Sequence, residues 1–329
     1  MVTRIFVTQP IASSALQRLR NVGQVTVNPD DSQILPKEAL CAALRDQDIL
    51  FSLLHDRVDR DVITANPDLR AITSMAITPD NIDVAEATAR RIPVTVVPPI
   101  VGEATADLTL GLMIAVARRM LEGDRLLRAG GFPGSQSSHL AGTAVSGKVL
   151  GLIGGGGAIG RAVAQRAKGF AMRCLYYAPR RKPIELEQQF GLAYAPLDEL
   201  LAESDFISLH APLTPQTRHL IGERELNLMK SGAILINTAR GPIVDEAALT
   251  RALQTGRIAG AGLDVFEQEP AVDPALRALP SVVLTPHMGS AVVELREVMA
   301  NIVVDNLIAF LQGHRPPNCI NPQVLAASA

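Results

Sequence analysis

Short apolar runs alternate with stretches of helical spacing along almost the whole chain. Ile5–Thr8, Ile49–Leu53, Arg70–Ser74, Val94–Val97, Val149–Ile153, Arg173–Tyr177, Phe206–Leu209, Ala233–Asn237 and Val282–Thr285 predict strands. Ile11, Ala15, Leu16 and Leu19 fall on one face of a first helix. One long helix is predicted from Gly102 to about Arg128, after the helix-blocking pair Pro98-Pro99. The tail from Val292 to Gln312 is helical again. Ala129–Ser138, rich in turn formers, reads as an extended loop. Repeated β-α alternation predicts an α/β fold of two doubly wound, parallel-sheet, Rossmann-like domains with right-handed crossovers.

Composition narrows the picture by exclusion. At 329 residues the chain is long enough for two domains, and its formal net charge of −2 leaves no nucleic-acid footprint. Cys41, Cys174 and Cys319 lie far apart, without metal-ligand spacing. No metal is expected, and the sparse cysteines suit a reducing, cytoplasmic setting. Leu108–Ala117, the longest mainly apolar run, is about half a bilayer span, so no membrane association is expected. The N-terminus alternates like a strand and lacks the build of a signal peptide.

The most telling segment is Val149-Leu-Gly-Leu-Ile-Gly-Gly-Gly-Gly-Ala-Ile-Gly160. A strand runs into glycines, and a helical pattern follows. Gly155, Gly157 and Gly160 satisfy G-x-G-x-x-G: one glycine for the turn, one for close approach of a pyrophosphate, one for helix-on-strand packing. With Ala158 and Ile159 they open a helix whose first amides face the phosphates. A dinucleotide-binding domain is therefore expected over 100–289. The remainder, 1–99 plus 290–329, is expected to bind substrate.

Arg240, Asp264, Glu269 and His287 stand at or beside strand ends in the second half. Ligands of open parallel sheets sit at those ends. A histidine oriented by a carboxylate can give a proton to a carbonyl oxygen as hydride reaches carbon, and take it back in reverse. Arginine's planar fork suits a carboxylate and polarises the neighbouring carbonyl. His210 and His219 read as packing or hydrogen-bonding residues, and Met288 as a wall of the pocket.

Asn237-Thr-Ala-Arg-Gly-Pro-Ile-Val-Asp-Glu246, Gly262-Leu-Asp-Val-Phe-Glu-Gln-Glu-Pro270, Thr285-Pro-His-Met-Gly-Ser290 and Ser204-Asp-Phe-Ile-Ser-Leu-His-Ala-Pro-Leu-Thr214 resemble the signature blocks of the D-isomer-specific 2-hydroxyacid dehydrogenases. Ala104-Thr-Ala-Asp-Leu108 and Glu122-Gly-Asp-Arg125 are most similar to the glyoxylate/hydroxypyruvate reductase branch. The resemblance implies Arg240 as substrate anchor and Glu269–His287 as the acid/base pair. It also implies cofactor contacts at Thr105, Pro212, Thr217, Ala239, Asp264 and Gly289, and substrate contacts at Ala76 and Ile77. A homodimer packed through the cofactor domains is implied as well. The expected reaction is reduction of a small 2-keto acid to the D-2-hydroxy acid. A dehydrogenase of bulkier hydroxy acids and a cofactor-sensing, corepressor-like binding protein are the rivals.

Three departures stand out. The glycine loop holds one residue more than the family pattern. The substrate loop, commonly Val-Gly-x-Gly-x-Asp-Asn, is Met75-Ala-Ile-Thr-Pro-Asp-Asn81, stiffer for its proline and lost glycines. The strand Met172–Tyr177 ends in Ala178-Pro-Arg-Arg-Lys182 where an acidic residue would accept from the ribose of NAD. Arg180 and Arg181 instead suit a 2′-phosphate, so NADP is expected in preference to NAD.

Overall fold

The structure, a computed structural model, describes residues 2–325. The chain divides into two compact units. One holds the chain through Ile100 together with the chain from Ala291 on; the other is Val101–Ser290.

The first unit carries five parallel strands: β1 (Arg4–Val7), β2 (Gln24–Val27), β3 (Ile49–Ser52), β4 (Ala71–Ser74) and β5 (Val94–Thr95), in the order β2-β1-β3-β4-β5. The inner strands β3 and β4 are buried throughout, as sheets covered on both faces require. The helix Ser13–Arg20 buries Ala15 and Leu19 and packs on the C-terminal helix Val293–Leu311. Asp59 and Asp83 cap short helices by accepting from their first-turn amides.

The second unit carries seven parallel strands: β6 (Val149–Ile153), β7 (Arg173–Tyr177), β8 (Leu192–Tyr194), β9 (Phe206–Leu209), β10 (Ile234–Asn237), β11 (Gly260–Leu263) and β12 (Val282–Leu284). Their order is β12-β11-β10-β9-β6-β7-β8. The chain leaves β6 toward β7 and returns at β9, so the order reverses beside β6. In open parallel sheets the ligand position is at the strands' carboxyl ends beside such a reversal.

Three strands carry no sequence signal strong enough to predict them: β2, β8 and β11. The first two are edge strands with partly exposed patterns. The third, Gly260-Ala-Gly-Leu263, is fully buried but made of small residues. The helix Gly102–Ala117 explains its glycines: a Cβ on Gly260 would lie 2.8 Å from Val116 Cγ1, and one on Gly262 would lie 3.0 Å from Leu112 Cβ. The long helix expected from Gly102 to Arg128 is two helices, Gly102–Ala117 and Met120–Arg128. Arg119, at φ +50°, turns the chain between them. The first buries eight of its side chains and the second buries none. Among the described residues no helix is long and apolar enough to cross a membrane.

Candidate active site

The glycine turn fits a dinucleotide. Gly154 leaves β6 at φ +86°, and a side chain there would strike the backbone of His210 at 2.7 Å. The amide of Gly157 donates to Gly154 O at 2.9 Å, and this turn takes up the additional glycine. A Cβ on Gly160 would lie 2.5 Å from Gly155 Cα, so helix and turn touch backbone to backbone. The helix Ala158–Ala167 starts after Gly157 with no side chain capping it. Its first amides, including those of Ala158 and Ile159, have no acceptor within the helix, and the positive end of the helix dipole favours an anion there.

Arg240 sits in the turn after β10. Asn237, the last residue of that strand, is buried, and its side chain holds the turn from both sides: Oδ1 accepts from Ala239 N at 3.0 Å and Nδ2 donates to Arg240 O at 3.0 Å. Arg240 Nη1 donates to Ala239 O at 2.8 Å. Thr238 meets Thr109 of the helix Gly102–Ala117, hydroxyl to hydroxyl, at 2.9 Å. Gly241 is obligatory, because a Cβ there would lie 1.8 Å from Phe266 O.

That contact joins the arginine turn to the next loop, which carries Glu269. Its Oε1 accepts from Phe266 N at 2.9 Å, and its Oε2 lies 2.8 Å from Nδ1 of His287. Both side chains are mostly buried, at 20 % and 18 % exposure, so the pair is only partly screened by water. His287 is held at φ +51°, a left-handed conformation that a non-glycine residue adopts only when its surroundings impose it. Asp264 supplies the imposition. Its Oδ1 accepts from Thr285 Oγ1 at 2.6 Å and Met288 N at 2.8 Å, and its Oδ2 accepts from Gly289 N at 2.8 Å. Burial pushes the Asp264 carboxyl up from its ordinary value, against those hydrogen bonds and the nearby His287.

The structure thus joins Arg240, Glu269, His287 and Asp264 through neighbouring loops after β10, β11 and β12. Asp264 and Asn237 emerge as holders of those loops. Sequence reasoning missed Asn237, whose only signal is an asparagine closing an apolar strand, the residue type that bonds its own backbone two residues on.

The other expected contacts vary in their local ties. Thr105 Oγ1 donates to Val101 O at 2.9 Å and to Gly289 O at 3.3 Å. Thr217 Oγ1 donates to Pro212 O at 2.6 Å and accepts from Thr214 N at 2.7 Å, folding that loop on itself. Arg180 is exposed, whereas Arg181 is bound to Glu187. His210 lies 2.9 Å from Ser208 Oγ through Nε2; its Nδ1 is buried without a partner among the described residues, and burial depresses its pKa to about 3. His219 pairs with Glu267 at 2.6 Å.

In the first unit, the loop Met75–Asn81 follows β4. Ala76 N–H points to Ser74 Oγ at 3.2 Å, and Ala76 O accepts from Val97 N at 2.9 Å. Ile77 is half-buried. Asn81 Nδ2 ties the loop to Leu53 O at 3.0 Å and Asp56 O at 2.7 Å.

Residues 110–289 match the family model of the D-isomer specific 2-hydroxyacid dehydrogenase NAD binding domain. A glyoxylate reductase of Thermococcus litoralis is 46 % identical over 332 residues, covering 100 % of this chain and 99 % of the relative. The crystal structure of a Thermus thermophilus protein superposes with a TM-score of 0.87 at 42 % identity, covering 97 % of this chain and 100 % of the other. An NADPH-dependent glyoxylate/hydroxypyruvate reductase of Sinorhizobium meliloti, solved with citrate, gives a TM-score of 0.78 at 31 % identity, covering 97 % and 98 %. With this likeness running the length of the sequence and the fold, the chain belongs to the D-isomer-specific 2-hydroxyacid dehydrogenase family.

Proposed function

We propose that this protein reduces a small 2-keto acid, glyoxylate or hydroxypyruvate, with NADPH, giving the D-2-hydroxy acid. The observation that carries the reading is the 2.8 Å pairing of His287 Nδ1 with Glu269, on a turn-and-helix frame fit for a dinucleotide. The names of the T. litoralis and S. meliloti relatives support the substrate class. A bound nicotinamide would supply the hydride. His287, with Nδ1–H given to Glu269, presents its Nε2 proton to the carbonyl oxygen, and Glu269 steadies the ring in that orientation. Arg240 takes the substrate carboxylate with its fork and polarises the carbonyl. Glycines 155, 157 and 160, with the amides of Ala158 and Ile159, would hold the pyrophosphate. By the family resemblance, Thr105, Pro212, Thr217, Ala239, Asp264 and Gly289 would be the further contacts of a bound dinucleotide.

Absence of an acid at Ala178 and the charge that follows support NADP over NAD. A homodimer is part of the proposal. No side chain of the helix Met120–Arg128 is fully buried within the chain, and Met120, Leu127 and Phe132 are 54 %, 57 % and 79 % exposed. A groove of about 430 Å³ nearby, lined by Val116, Leu121, Ile234 and Val283, accepts apolar side chains. A second copy covering this face removes that surface from water. The three free cysteines suit a cytoplasmic setting.

The test is NADPH and NADH oxidation with glyoxylate, hydroxypyruvate, pyruvate and phenylpyruvate, with the product's configuration determined. Turnover confined to bulky keto acids, or none at all, refutes the reading. Light scattering of wild type and Phe132→Asp checks the dimer.

A further inference from the structure

The loop between Asp264 and Pro270 carries Glu269, and Glu269 is not its only anchor. Two residues earlier, Glu267 is joined to Glu246, the first residue of the helix Glu246–Gln254. The two glutamates exchange bonds. Glu267 N donates to Glu246 Oε2 at 2.9 Å, and Glu246 N donates to Glu267 Oε2 at 3.2 Å. Each backbone amide is satisfied by the other residue's carboxylate, so the clasp sets two acidic groups side by side. Like charges repel, and a clasp of this kind is steadied by a donor or a cation from outside.

His219 supplies that donor. Its Nε2 lies 2.6 Å from Oε1 of Glu267. A carboxylate only accepts, so the Nε2–H donates and the bond is charge-assisted. Glu267 is mostly buried, its side chain 19 % exposed, so water competes weakly for that oxygen. Arg218 Nη2 adds a longer contact to the same oxygen at 3.5 Å. The main chain of His219 is bound elsewhere, to the turn that follows Arg240. Its amide donates to Pro242 O at 2.8 Å, Ile221 N donates to Ile243 O at 3.1 Å, and Asp245 N donates to Ile221 O at 2.9 Å. To make both joints His219 is held at φ +52°, in the left-handed region. Such a conformation in a residue with a side chain is kept only where its surroundings impose it. His219 therefore grips the arginine turn with its backbone and the glutamate loop with its ring.

We infer that His219 is a positioning residue for the proton path. It locks the turn of Arg240 to the loop of Glu269 from outside, and so keeps Glu269 in register with His287. It acts through Glu267 and not on the substrate. This rests on the Glu269–His287 reading above.

The test is steady-state kinetics of the full-length enzyme with glyoxylate and NADPH, together with NADPH titration. His219→Ala lowers kcat about tenfold, within the ~hundredfold that a ~1 Å displacement of a catalytic group can cost. KM for glyoxylate, and the affinity and stoichiometry of NADPH, change less than about twofold, because no binding contact is lost. A fall in the number of NADPH sites that matches the fall in kcat would mean loss of folded protein, and overturns the inference. His219→Gln, whose Nε2 keeps a donor at the same reach, restores kcat to within about threefold of wild type; a Gln variant as slow as the Ala variant overturns it too. Glu267→Gln lowers kcat, and adding His219→Ala to it costs less than about twofold more, since both changes cut one joint. Fully additive losses refute the route through Glu267. His287→Ala is the control for the underlying reading. If it keeps wild-type kcat, the Glu269–His287 assignment falls. If His219→Ala alone keeps it, only the present inference falls.

Discussion

Asp264→Asn is the most informative single change, because it separates a loop holder from a cofactor ligand. In the wild type one carboxylate satisfies three donors: Thr285 Oγ1, Met288 N and Gly289 N. The amide keeps the shape. With its oxygen turned to Thr285 and Met288, its NH2 faces Gly289 N–H, donor against donor. A hydrogen bond to a charged group contributes about 1.5–3 kcal/mol. Relief of the buried charge offsets part of this, so the expected net loss is about 2 kcal/mol. For a domain of this size that is about 2–4 °C of Tm per kcal/mol. His287 then relaxes from its φ of +51°. Displacement of a catalytic group by ~1 Å can cost about a hundredfold in rate, so kcat should fall by about 10–100-fold. As a loop holder rather than the cofactor contact that the resemblance implies, Asp264 should on replacement leave NADPH binding changed by less than about threefold. Steady-state kinetics, cofactor titration and thermal melts measure the three quantities. An unchanged kcat with strongly weakened NADPH would refute the argument and make Asp264 a cofactor ligand.

The same residue has a pH signature. Its carboxyl is raised above 3.8 by burial, so the native state holds the proton more tightly than the unfolded chain. Stability from this group is then fullest below pH 3.8 and declines as pH rises through the raised value. The stability gap between wild type and Asp264→Asn should narrow across that window.

His287→Ala should lower kcat by about 10²–10⁴-fold with NADPH still bound, and near-normal turnover would remove it from the proton path. Arg240→Ala should raise KM for the keto acid and lower kcat together, because anchoring and polarisation vanish at once; unchanged saturation curves would put the carboxylate elsewhere. Gly241→Ala, whose methyl would meet Phe266 O at 1.8 Å, should cost at least about 1–3 kcal/mol in melts and depress kcat as well. Glu187, held down at about 2 against an ordinary 4.5, stabilises the fold above pH 4.5, and that stability drains as pH falls toward 2. Glu187→Gln should flatten this acid limb in melts taken across the same range.

The frame is legible wherever a residue's job matches its local pattern. Val149–Ile153, Arg173–Tyr177 and Phe206–Leu209 are apolar runs bounded by turn formers, and they are strands. The β11 strand escapes such reading because its glycines answer to a neighbour, the Leu112 and Val116 face of a helix, and a chain read locally does not reveal that neighbour. The break at Arg119 escapes it because no glycine or proline marks the place. At the site, a histidine, a glutamate and an arginine announce themselves by chemistry. The work of Asn237 and Asp264 in holding their loops becomes visible only when hydrogen bonds are seen. Charge alone makes Arg181 a phosphate ligand on a par with Arg180; the structure adds a buried Glu187 six positions on.

The contact between Gly241 and Phe266 has a consequence for how such a site changes over time. The arginine turn leans on the carboxylate loop, that loop grips His287, and the histidine loop is tied back through Asp264 to Asn237, whose carbonyl receives the Asp264 amide at 2.9 Å. The four links close a ring. A ring of this kind cannot be edited one segment at a time: exchanging a single loop with a relative breaks two joints at once. Change is therefore more readily accommodated outside the ring, at segments such as Met75–Asn81, where this chain departs from the family pattern.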